Sequence, residues 1–181
     1  MNRHFLLTLI GASILISAAF AQNPMVGGKE MFPEKNILEN AANSADHTTL
    51  VAAVRVARLV DRLQSPGPFT VFAPVNAAFN KLPAGTVGSL LKPENTDMLV
   101  KVLTYHVVPG KLSSLDLKKQ IKMGGGIATL KTVAGRTLWA MTDGNSILLK
   151  DEKGSVARII QANVFQSNGV IHVIDTVVLP D

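Results

Sequence analysis

Five short segments in the second half of the chain, "IATLKTV", "RTLWAMT", "SILLKD", "VARIIQ" and "VIHVIDTVVL", are rich in Val, Ile and Thr and are separated by "AG", "DGN", "EKG" and "SNG". Residues branched at Cβ favour extended backbone, and turns at such short intervals leave no room for crossover helices. From Gly124 onward the chain therefore reads as an antiparallel meander of hairpins. The first half has a different period. Asn36 is placed to cap a short helix over "ILENAAN", and Asp46 to cap a longer one. In the longer one Leu50, Val51, Val54, Ala57 and Leu63 recur at helical spacing, with Arg55, Arg58 and Arg62 largely on the other side. "SPGP" stops that helix, "FTVFA" follows as a strand, and Pro74 ends the strand before Asn76 caps "AAFNKL". Further helices start at Thr86 and at Pro93, where Met98, Leu99, Val102 and Leu103 form a stripe, and "TYHVVPG" switches back to strand and turn. Helices first and strands later, with few βαβ alternations, define an α+β domain rather than a doubly wound sheet.

The amino terminus carries a different message. Arg3, the apolar stretch "FLLTLIGASILISAAF" and "AFA" before Gln22 form the charge, apolar core and small-residue pattern of a secretory signal, cut after Ala21. The stretch from Phe5 to Phe20 is shorter than the roughly 20 residues a membrane-spanning helix needs, and polar "QNP" follows it. Of the 181 residues, 1–21 are thus the expected signal, 22–35 a flexible leader and 36–181 one domain with an ordinary core. Localisation is secreted or periplasmic, with no transmembrane segment after cleavage. The chain has no cysteine, which excludes a disulfide framework, a thiolate nucleophile and a cysteine-bound metal. Without Arg3, 17 basic residues face 13 acidic ones, a net charge of +4. "LKKQIK" reads as a solvated helix face, because no aromatic residues interleave with it to stack on bases, so no nucleic acid is expected as a partner.

Catalytic motifs are missing. Past the signal the imidazoles are His47, His106 and His172, there is no "GxSxG" and no "HExxH", and both His106 and His172 sit in apolar strand patterns where a histidine is usually a hydrogen-bonded core residue. Gly124 to Gly126 precede a strand without "GK[ST]", and "DGNSILLKDE" has its glycine second rather than sixth, so neither a phosphate loop nor a calcium loop is present. In "VIHVID", alternation puts Val170, His172 and Ile174 on one face and Ile171, Val173 and Asp175 on the other. Both faces are then mainly buried, and each polar side chain needs a partner. No metal, no cofactor and no enzymatic activity are expected.

"GPFTVFAPVNAAFNKLP" at 67–83 resembles the first signature box of fasciclin-like domains, and "NGVIHVIDTVVLP" at 168–180 resembles the second. "LVKVLTYHVVPGKL" at 99–112 is similar to the tyrosine-histidine motif between them, carried here by Tyr105 and His106. The resemblance to this family (beta-Ig-H3/fasciclin), as a single-domain secreted bacterial-type member, runs from about Asn36 to Pro180. It implies N-terminal helices packed on an antiparallel β-sandwich or wedge, with the two boxes as adjacent core strands. It implies structural roles for Phe72, Pro74, Asn76, Phe79, His172 and Asp175. Some animal members bind integrins through the tyrosine-histidine segment and an aspartate-isoleucine pair, which here reads Asn163 and Val164. Tyr105, His106, Asn163 and Val164 are therefore the contact residues that family position implies, and the missing carboxylate argues against an integrin.

The function implied is that of a secreted, non-enzymatic adhesion module contacting extracellular matrix, polysaccharide or a surface protein. The identity of that partner and the oligomeric state stay open. The alternative is a carrier of a small apolar ligand of the carotenoid type, weakly disfavoured because Trp139 and Tyr105 are the only aromatics beside phenylalanine.

Overall fold

A computed structural model describes residues 23–181, and the expected signal lies outside the described residues. Its first element is a small hairpin, β1 (Met25–Val26) and β2 (Lys29–Glu30), turned by Gly27 and Gly28 with φ of 57° and 73°. Such a two-residue turn needs positive φ at both positions, which glycine adopts without cost from a side chain. The expected leader is corrected by this element. Val26 and Met31 are buried in the helical core, and Asn40 holds Phe32 through two backbone hydrogen bonds of 3.0 and 2.7 Å. The Gly content that suggests a leader is what the tight turn requires.

Asn36 opens the helical half by a capping box. Its side chain accepts the Glu39 N–H at 2.9 Å while the Glu39 carboxylate accepts the Asn36 N–H at 2.8 Å, which fixes the start of α1 (Ile37–Asn43). The next helix departs from expectation at both ends. Ser44, not Asp46, caps a single 3₁₀ turn that leads into α2 (Thr48–Val56). α2 ends where Arg58 takes φ 57°, and α3 (Val60–Gln64) begins afterwards, so the long helix is two short ones. Arg58 N–H bonds Arg55 O (3.1 Å) and Leu59 N–H bonds Val54 O (3.0 Å), the paired closure of a Schellman end that places Leu59 in the core.

Chain order continues with β3 (Phe69–Pro74), α4 (Asn76–Phe79), α5 (Thr86–Leu90), α6 (Thr96–Tyr105), β4 (Val107–Pro109) and α7 (Ser114–Met123). The meander follows as β5 (Ile127–Lys131), β6 (Thr137–Asp143), β7 (Ser146–Lys150), β8 (Val156–Gln166) and β9 (Gly169–Ile174). Seven strands form one sheet in the order β4-β3-β9-β8-β7-β6-β5, antiparallel at every step except the parallel β3–β9 pair. Beyond β5, Val133 N–H reaches Val107 O (2.8 Å) and Ala134 N–H reaches Thr104 O (3.3 Å), which folds the sheet back toward β4 into a nearly closed barrel. The fold is thus the expected α+β arrangement, with the sheet curled on itself.

β3 and β9 divide the interior. Val71, Ala73, Ile171 and Val173 face a core shared with Ile37, Leu38, Leu50 and Val54 of the N-terminal helices. Phe72 and Ile174 face a second core inside the barrel, with Tyr105, Leu117, Leu138 and Leu149. The two strands approach closely at one end, where a Cβ on Gly169 would overlap the Phe69 carbonyl.

Candidate functional site

The motif residues converge on the β3–β9 seam. His172 pairs in register with Phe72, and their rings stack with centroids 5.7 Å apart. Phe72 N–H in turn donates to the His106 carbonyl at 2.9 Å. His106 is not in a strand, as its apolar surroundings suggested; it is the C-cap of α6, and β4 starts at the next residue. Helical periodicity through Leu99, Val102 and Leu103 carries on to Tyr105 and overrides the strand preference of the valines that follow.

Both imidazoles are fully engaged. His106 Nε2 accepts the Val178 N–H at 3.3 Å, so its Nδ1 carries the proton and donates to Val102 O at 2.8 Å. His172 Nδ1 accepts the Asn163 N–H at 3.3 Å, so its Nε2 carries the proton and donates to Leu112 O at 2.8 Å. Each ring must be neutral to make both bonds. Burial agrees: it pushes His106 down to about 4 and also lowers His172, against smaller opposite contributions from the Val102 and Leu112 carbonyls. His47 is buried as well, bonding Ser44 through Nδ1 at 2.8 Å, and burial lowers it.

Tyr105 is completely buried. Its hydroxyl donates to Thr137 O at 2.6 Å and accepts the Glu152 N–H at 3.3 Å, and burial pushes it up to about 12. Val164 is buried too, and Asn163 is half-buried at a bulge in β8, where it takes φ 63°. Asn163 is turned inward: its Oδ1 accepts the Ser114 N–H at 2.7 Å and its Nδ2 donates to Ser114 Oγ at 2.8 Å, fastening the first turn of α7. Of the four contact residues that family position implies, three side chains are therefore inside the molecule and the fourth is occupied.

The remaining motif positions are spread around this seam. Pro74 is buried at the end of β3 opposite Ile174, and Phe79 packs beside Val177. Asn76 is corrected in role: α4 has Val75 at its N-cap with no side-chain bond, and the Asn76 side chain reaches across to α2 instead. There Asn76 Oδ1 accepts from Thr49 N–H (3.0 Å) and the Thr48 hydroxyl (3.2 Å), while Nδ2 donates to Ala45 O (2.9 Å). Asp175 lies just past β9. Burial alone would raise its carboxyl, but the Arg158 N–H, the Thr176 hydroxyl and the Lys81 ammonium at 3.5 Å hold it lower.

Two polar residues that the sequence reading gives no candidate role are as central. Asn168, read only as a turn residue, accepts the Ile37 N–H (3.0 Å) and donates to Leu63 O (2.7 Å) and Ser65 O (2.9 Å), joining α1, α3 and the β8–β9 turn. Asn40, fully buried on α1, bonds both Phe32 and Gln166. A polar residue inside a motif's apolar surroundings is a visible signal; an asparagine whose partners are distant in sequence is not.

Chemically, the seam offers two neutral imidazoles, a protonated phenol and stacked aromatic surface, each polar atom already bonded within the chain. Among the described residues no group of three acidic or imidazole side chains is placed to hold a metal ion. No described helix is long and apolar enough to cross a membrane.

A curled α+β sheet whose two motif strands meet in a buried seam defines the fold class, and residues 45–180 match the Fasciclin domain family. The chain belongs to the fasciclin domain family, whose members are adhesion and binding modules and are generally non-catalytic. It is 52% identical over 146 residues to Protein sll1483 of Synechocystis sp., covering 80% of this chain and 73% of that one. It is 36% identical over 145 residues to Immunogenic protein MPB70 of Mycobacterium bovis, covering 77% of this chain and 66% of the relative. Among solved structures, a FAS1 domain pair from the insect cell adhesion molecule Fasciclin I superposes with a TM-score of 0.56 at 25% identity, over 72% of this chain and 45% of that one.

Proposed function

We propose that this protein is an exported, non-enzymatic module that binds a component of the extracellular matrix or cell surface through its outer surface. The observation that carries this reading is the inward commitment of the motif. Tyr105, His106 and His172 bond backbone groups on both sides, and a side chain so engaged is scaffolding rather than a contact. Recognition then falls to side chains that folding does not use. Membership of a family of adhesion and binding modules supports the same conclusion. The test is recovery of matrix material by the tagged protein from its producer, with an unrelated basic domain of similar charge as control. Selective recovery supports the reading, and equal recovery by both sinks it.

A carrier role has one observation in its favour, an apolar cavity beneath α1–α3 lined by Leu38, Leu50, Val54, Leu59, Phe69 and Val71. Its volume of about 40 Å³ is far below the ~150 Å³ that admits a benzene-sized guest. A pigment would therefore have to part the helices from the sheet. A colourless preparation from the native host argues against it.

A further inference from the structure

The barrel wall of β5–β8, whose inner side packs against α7, has an outer face that the fold does not use. Along β5 and β6, Ala128, Leu130, Leu138 and Ala140 point inward and are buried, as are Leu149 of β7 and Ala157 of β8. The alternate residues therefore point out. The register lines them up in two cross-strand rows: Thr129, Trp139, Lys150 and Val156 in one, and Ile127, Met141, Leu148 and Arg158 in the other. Ile127 and Val156 are 49% and 45% exposed, which is unusual for such residues in a strand. Ile127, Trp139, Met141 and Lys150 line a shallow open depression of about 200 Å³.

We infer that this face is a binding platform for an acidic polysaccharide, with Trp139 as the stacking surface and Lys131 and Lys150 as carboxylate contacts; the inference rests on the binding-module reading above. A sugar ring presents one apolar C–H face and a polar rim, which matches an indole lying among aliphatic neighbours with cations at its side. Lys150 sits one strand spacing (~4.8 Å) from Trp139 in the same row, and Lys131 lies on the neighbouring strand β5, one outward position beyond Thr129. Neither lysine has an ion-pair partner among the described residues. Arg158 differs, because Asp143 holds it at 3.1 Å. Charge complementarity selects the occupant. A second copy placed face to face would oppose lysine to lysine, and a single-stranded nucleic acid would need several aromatic platforms where this face has one.

Trp139 is the single tryptophan of the sequence, so its emission reports this face directly. The purified protein is titrated with oligogalacturonate, a neutral cello-oligosaccharide and a single-stranded DNA oligomer, following emission and heat. Oligogalacturonate is expected to shift the emission and to bind more weakly as salt rises. Trp139→Ala and the double variant Lys131→Glu/Lys150→Glu are each expected to weaken binding at least about tenfold, whereas Trp139→Phe, which keeps an aromatic face, retains most of it. The inference is overturned by emission that stays constant under saturating uronate, by no uronate binding, by either variant binding like the wild type, or by tighter binding of DNA or of the neutral sugar. Matrix recovery that survives Trp139→Ala also overturns this site while leaving the binding-module reading intact. Uronate binding that depends on Trp139, in a protein that recovers no matrix, upholds the platform and removes the wider reading.

Discussion

β9 and β6 belong to the same sheet and differ in what lies on their two sides. All six residues of β9 are buried, whereas β6 alternates Leu138 and Ala140 inside with Thr137, Trp139 and Met141 partly exposed. A strand covered on both faces has no residue free of the fold, so any polar side chain in it must find partners within the chain. His172 does so with both ring nitrogens. A strand covered on one face leaves every second position unconstrained by packing, and chemistry for a partner can be written there at little cost in stability. The most recognisable residues of this chain are consequently the ones least available to anything outside it.

That contrast can be broken by mutation. His172→Ala removes the ring stacked on Phe72 and strands Leu112 O and Asn163 N–H, so a loss of about 4 kcal/mol is expected, roughly 12 °C in melting temperature. An unchanged melting temperature would abolish the distinction between the strands. Acid should act on the same seam. The folded-state pKa of His106 is about 4 against 6.5 for the free group, and His172 and His47 are lowered in the same sense. Between these values the unfolded chain binds more protons than the folded one. Stability is therefore full above pH 6.5 and falls as pH drops toward 4, by about 3 kcal/mol from His106 alone. Urea unfolding at pH 7, 5.5 and 4 measures the slope, and His106→Gln should flatten it.

Smaller effects sharpen the comparison. Asn168→Ala should cost about 2 kcal/mol, because three backbone groups lose their partner where α1, α3 and the β8–β9 turn meet. Trp139→Ala should change stability by about 1 kcal/mol or less, since it removes only cross-strand packing on the outer face. A denaturation midpoint shifted as far as that of His172→Ala would mean that the outer face is part of the scaffold after all.

Local chemistry was legible in the sequence and distant pairing was not. The Asn36 cap, the hairpin turns of the meander and the alternation in "VIHVID" depend on neighbours a few residues away, and the structure has each of them. The end of α2 was hidden because arginine, a good helix former, holds the left-handed position that usually announces itself as glycine. β8 outran "VARIIQ" because bulges at Ile159–Gln161 and Gln161–Val164 destroy the period-two pattern that marks a strand. Asn76 stands where a cap for its own helix is expected, but its side chain serves a helix 27 residues earlier. The motif told where the seam lies, and the fold shows how deeply its side chains are committed inside the molecule. Trp139 was visible in "TLWAMTD", where it alternates with Leu138 and Ala140, yet only the register shows what stands beside it.

The parallel pairing of β3 with β9 has a consequence for how the molecule comes into being. Phe69 and Gly169 are partners separated by 100 positions, with β9 inserted between β3 and β8. A nascent chain that has reached only β8 holds β3 with one flank bare and neither core closed, so it cannot settle into a stable partial structure. Folding must wait for residue 174, so the chain stays without either closed core until β9 has emerged.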